Sequence, residues 1–124
     1  MATEALAGPV GVAVEAGGRE ASLRARMVAL LVLNLLDALF TLAFLQLHLA
    51  EEANPLMAAA YAGSPVLFLV LKLALVHSGA VLLWIHRATP AARGALAAGV
   101  ALYAAIVVYH CSFVARLIVA AASG

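Results

Sequence analysis

The sequence predicts an all-α fold, a bundle of three transmembrane helices with a short interfacial helix between the first and the second, and three observations carry that prediction. The 124 residues are 67% hydrophobic and 10% charged, with a mean hydropathy of +1.12, against roughly 45 to 50% apolar and 25% charged in soluble domains. Three apolar runs, over about residues 27–49, 65–85 and 97–120, each approach the roughly 20 residues needed to cross a hydrocarbon core. The basic residues alternate between loops in the manner of a polytopic membrane protein.

Met1 to Ser22 mixes Ala, Gly and Glu, with Gly8-Pro9 and Gly17-Gly18 as breakers, and reads as a disordered cytoplasmic tail. Glu4 and Glu15 sit where a signal peptide needs a basic start and an unbroken apolar core, so the first span serves as the uncleaved insertion signal. Residues 23–124 form a single transmembrane domain. Arg24 and Arg26 flank the first span, and Asn54-Pro55 closes the turn after it, because a residue before proline is pushed out of the helical region. Leu56 to Ala62 is too short to span and suits one or two interfacial turns. Ser64 as N-cap and Pro65 as first helical residue open the second span, with Trp84 as an interfacial anchor near its end. His86 to Arg93, containing Thr89-Pro90, is a short polar turn, and the third span follows.

Arg19, Arg24 and Arg26 precede the first span and Arg87 and Arg93 join the second to the third, whereas the loop from Ala50 to Ser64 holds no Lys or Arg. The positive-inside rule then puts the N-terminus in the cytoplasm and the C-terminus outside a cytoplasmic (inner) membrane. A formal net charge of +1 at pH 7 without a basic run excludes nucleic acid as a partner. The lone Cys111 excludes an intrachain disulfide, and its apolar surroundings predict a buried, inert thiol.

The polar residues inside these runs are the candidates for function. At 100° per residue, Asn34 lies about 60°, Thr41 about 40° and His48 about 20° from Asp37 on the helix circumference, so the four share one stripe. A helix prolonged past residue 49 adds Glu52 at about 60° from Asp37. His48, Glu51, Glu52 and Asn54 would then form an external polar mouth above an intramembrane acid. Asn34 and Thr41 can serve as interhelical hydrogen-bonding glue; a central carboxylate costs roughly 2.5 to 3.5 kcal/mol and calls for a partner. Rise per residue puts Asp37, His77 and His110 about 18 Å below the external ends of their helices, with Lys72 and Arg116 about 9 to 11 Å below. Side chains lean toward the N-terminus of their helix, so Lys72 is expected to reach Glu51 or Glu52, and Arg116 or a histidine to reach Asp37.

No cofactor is predicted. His77 and His110 at one depth admit haem or a metal as an alternative to hydrogen-bonded neutral imidazoles, but no single helix carries an HxxxH or HExxH spacing. Ala97, Ala101 and Ala105, with Ala95 and Gly99 beside them, form a small-residue surface for close helix approach. Three helices have five intramembrane ionisable groups to hide, which implies a homo-oligomer or burial in a larger membrane complex, besides the lipid bilayer itself.

The segment Leu33 to Met57, followed by Lys72, resembles a family of small prokaryotic membrane proteins known as a domain of unknown function. The pattern Asn-x-x-Asp-x-x-x-Thr, Glu-x-Asn-Pro and a lysine in the next helix falls here on Asn34, Asp37, Thr41, Glu52, Asn54, Pro55 and Lys72. The resemblance covers about Arg26 to the end and implies a compact multi-helix membrane domain; it carries no activity. Two functions fit these residues: a proton or small-cation site around Asp37 in an oligomeric membrane protein, or a non-catalytic packing or accessory subunit in which Asp37, Lys72 and Arg116 fix helix register. An intramembrane enzyme using Asp37 with His77 or His110 ranks last, because no nucleophile, metal or cofactor motif supports it.

Overall fold

The computed structural model describes residues 8–124. Four helices follow one another: α1 (Pro9–Gln46), α2 (Pro55–Gly63), α3 (Pro65–Ile85) and α4 (Pro90–Ser123). Each of the chain's four prolines is the first residue of a helix, the one helical position where a missing N–H and a fixed φ carry no cost. Three of the starts are also capped by a side chain. Asn54 accepts from Leu56 N at 3.0 Å, Ser64 from Leu67 N at 2.9 Å and Thr89 from Ala92 N at 3.2 Å, which satisfies amides that no helical carbonyl can reach.

α1, α3 and α4 are long and apolar enough to cross a membrane, and α2 is the short helix expected between the first two. The second span and its Ser64-Pro65 start fall where the sequence places them. The first span is displaced: α1 ends at Gln46, three residues earlier than Leu49, and His48 takes φ 55° in the turn that follows. The expected tail divides, since residues 1–7 lie outside the described residues and from Pro9 onward the chain is helical.

α1 is the central element, packed against both α3 and α4, while α2 lies on α3. Two apolar clusters hold the bundle. One joins Leu23 and Leu30 of α1 to Ala80 and Leu96, with Trp84 and Tyr103 against it. The other joins Leu45 to Met57 and Phe68, with Tyr61 and Leu71 around it. Gly99 packs beside Leu30, where a Cβ would stand 3.3 Å from a leucine methyl. Val28, Val32, Leu39, Val70, Leu82, Val108 and Ile118 face outward, the pattern of helices whose outer surface meets lipid. The small-residue stripe is on that side too. Ala97, Ala101 and Ala105 are exposed, and α4 approaches α1 through Leu96, Gly99 and Tyr103 instead. Cys111 is exposed as well, contrary to a buried thiol, because it stands one residue from the inward-facing His110 and so about 100° around the helix.

Candidate functional site

Between the two apolar clusters lies a polar layer centred on Asp37, whose side chain is 7% exposed. Asp37 Oδ2 receives the Lys72 ammonium at 2.8 Å, and Oδ1 lies 2.9 Å from His110 Nε2. The nitrogen facing a carboxylate is the one that carries the proton, so Nε2–H donates. Thr41 Oγ1 donates weakly to Oδ1 at 3.4 Å and stands 3.5 Å from Lys72 Nζ. One residue from each spanning helix thus converges on one carboxylate.

Chain direction explains the convergence. Along the bundle axis, Lys72 stands about 20 Å from the inner end of α3 and His110 about 30 Å from the start of α4. Lys72 and His110 stand on helices of opposite direction, and because each side chain leans toward the N-terminus of its own helix the two heads approach a shared level. Asp37 is at that level because α1 stops at Gln46, which sets it about 13 Å below the helix end.

Four expected placements are therefore corrected. Lys72 pairs with Asp37, and Glu52 instead accepts from the Asn54 amide at 2.9 Å as part of the α2 start. The histidine alternative for Asp37 holds through His110, whereas Arg116 lies on the exposed side of α4 beside Val119 and Ala120; six residues separate it from His110, or about 9 Å farther out. His77 is exposed, with Nδ1 on the Leu73 carbonyl at 2.8 Å, and faces a groove between α1 and α3 rather than the acid. The stripe ends at Thr41: once the helix closes at Gln46, His48 and Glu51 are exposed turn residues, and Phe44, Leu45 and Phe68 stand between the acid and the outer end. Among the described residues no three His, Cys, Asp or Glu side chains gather as a metal site requires.

The walls of the layer are aromatic. Phe40 stacks on the His110 ring with centroids 5.6 Å apart, Phe44 meets its edge at 5.3 Å, and the Lys72 ammonium lies 5.9 Å from the Phe68 ring. Such rings exclude water and hold the imidazole plane. Two polar groups are left over. Asn34, one turn from Asp37, is fully buried with neither amide atom hydrogen-bonded, and His110 Nδ1 is buried without a partner. In hydrocarbon such groups are costly.

A second polar constellation at the other end of the bundle escapes the sequence reading. Glu20 Oε1 accepts from Arg87 Nε at 3.4 Å, and the Arg87 guanidinium lies 4.6 Å from the Trp84 ring. Its sequence signal is the continuation of the α1 inward face: Glu20, Leu23, Met27, Leu30, Asn34, Asp37 and Thr41 follow in alternating steps of three and four residues, the period of a packed helix.

No curated protein and no solved structure matches this chain. The family model for a domain of unknown function, DUF5658, matches residues 28–116, a span that holds Asn34, Asp37, Thr41, Lys72 and His110 and leaves out Glu20. On the strength of that match over most of its length, the chain belongs to the DUF5658 family.

Proposed function

We propose that the Asp37, Lys72 and His110 triad is an intramembrane proton-exchange site. The observation that carries it is one nearly buried carboxylate shared between an ammonium at 2.8 Å and an imidazole at 2.9 Å. Lys72 occupies the place that a small metal cation would take at Asp37, which narrows the cargo to protons. The exchange balances at His110: a proton arriving at the unpartnered Nδ1 makes the imidazolium, whose Nε2–H then passes to the carboxylate and leaves a neutral ring. One proton enters at one ring nitrogen and one leaves from the other. Asn34 offers a donor and an acceptor one turn away. Reconstituted vesicles with an internal pH indicator test this. Wild-type protein moves protons above the empty-vesicle rate and Asp37→Asn does not; no movement above empty vesicles under any gradient overturns it.

The second reading is a helix tie in an accessory or self-associating subunit. It is favoured by the triad's origin on all three spanning helices and by the outward-facing Ala97, Ala101 and Ala105 stripe, which suits a second copy or another membrane subunit. A triad at most 20% exposed in the isolated chain needs no partner to cover it, so oligomerisation rests on that stripe. Membrane pull-down of the tagged chain separates a homo-oligomer from a heteromeric complex. The arginine asymmetry supports a cytoplasmic N-terminus and an external C-terminus in the inner membrane, and a periplasm-dependent reporter fused after Gly124 is expected to be active.

A further inference from the structure

The end of the bundle bearing Arg87 holds a concave site apart from the triad. A cavity of about 440 Å³ is lined by Arg19, Glu20 and Leu23 of α1, by Arg87 after α3 and by Arg93 of α4. Three guanidinium groups against one carboxylate leave a formal charge of +2. The cavity sits just past Ile85, where a 21-residue span of about 31 Å has crossed the hydrocarbon core, so it lies at headgroup depth. We propose that it binds the headgroup phosphate of an anionic glycerophospholipid, with an acyl chain in the adjoining apolar groove.

Two of the three arginines are held in place. Arg87 Nη1 donates to the Trp84 carbonyl at 2.9 Å while its Cζ lies over the Trp84 ring, and Arg93 Nη1 donates to the Ala88 carbonyl at 3.2 Å. A guanidinium already fixed in orientation loses little entropy in gripping a phosphate through paired N–H groups. The first turn of α4 adds its partial positive charge from the same side.

A free phosphate would use only these groups; the groove argues for a lipid. It has a volume of about 520 Å³ and is lined by Met27, Leu31, Ala80 and Val81, with Arg24 and Trp84 among its walls. Leu23 and Ile85 line the cavity and their chain neighbours Arg24 and Trp84 line the groove, so both are built at the same end of α1 and α3. Glu20 chooses among headgroups. Its carboxylate lines the cavity with Oε1 engaged by Arg87, an acceptor to which a glycerol hydroxyl can donate and a choline cannot. Basic clusters at such a depth are how membrane proteins select anionic lipid.

The test is native mass spectrometry of the full chain in mild detergent, titrated with phosphatidylglycerol, phosphatidylcholine or inorganic phosphate. Phosphatidylglycerol is expected to be retained roughly tenfold better than phosphatidylcholine, Arg19→Gln with Arg93→Gln to lower that retention roughly tenfold, and Arg116→Gln at the opposite end to leave it unchanged. Val81→Trp, which fills the groove from its exposed side without altering a charge, lowers it severalfold. Equal retention of the two lipids, indifference to the paired arginine change, or displacement of phosphatidylglycerol by an equal concentration of inorganic phosphate overturns the proposal.

Discussion

Among the described residues two pairs of a carboxylate with a lysine or arginine tie α1 to its neighbours, and they differ in almost everything but charge. Asp37 and Lys72 meet at 2.8 Å with side chains 7% and 20% exposed, walled by phenylalanines; Glu20 and Arg87 meet at 3.4 Å with side chains 44% and 38% exposed. Coulomb attraction scales inversely with dielectric, so the inner pair is strong once formed and ruinous when half removed. The outer pair is screened by water and can exchange its partner for a ligand. The same two charges make a structural commitment in one place and an adaptable surface in the other.

Breaking that contrast begins with Asp37→Ala. It leaves the Lys72 ammonium buried without its counter-ion and is expected to cost about 3 to 5 kcal/mol, read from denaturant unfolding in micelles or bicelles. Asp37→Leu combined with Lys72→Met removes both charges and should return stability to within about 1 to 2 kcal/mol of wild type, or exceed it, while abolishing proton movement. A double variant as weak as Asp37→Ala would show that packing, rather than the unpaired charge, dominates the site. Asn34→Leu sharpens the contrast from within the inner layer: relieving two unpartnered amide atoms is expected to raise stability by about 1 kcal/mol, with slower proton exchange as its functional cost. Last, Glu20→Gln should shift the same unfolding measurement by less than about 0.5 kcal/mol.

How legible each region was follows from the same physics. Helical period and hydropathy placed Asn34, Asp37 and Thr41 on one face of a spanning helix, since both depend on local spacing. Ser64-Pro65 announced the start of α3 through capping chemistry alone. The partner of Asp37 was less accessible, because it depends on relative helix heights: ending α1 at Gln46 in place of Leu49 raises Asp37 by about 4 to 5 Å and brings it to Lys72. Side-chain lean was the right principle applied at the wrong height. Glu20 was lost for a different reason, since Gly17-Gly18 and the polar composition suggested a tail, although the three-and-four spacing of the inward face runs without a break from Glu20 to Thr41. That continuity was a better guide than composition. Arg116 does not reach Asp37 because α4 is long enough to carry it beyond the triad, where its long side chain can reach the interface at that end of the bundle.

With all four prolines committed to helix starts, no spanning helix is kinked from within by one, and articulation must come from elsewhere. Inside the spans the Gly/Ser pair is Ser78-Gly79 of α3, where Ser78 Oγ turns back to the Ala74 carbonyl at 2.7 Å and Gly79 has open space where a Cβ would be. Pairs of this kind and back-bonded serines are where helices bend. Ser78-Gly79 stands on α3 between Lys72 and the arginine cavity, so a bend at that pair would alter the height of the ammonium, and with it the grip on Asp37, relative to the opposite end of the bundle.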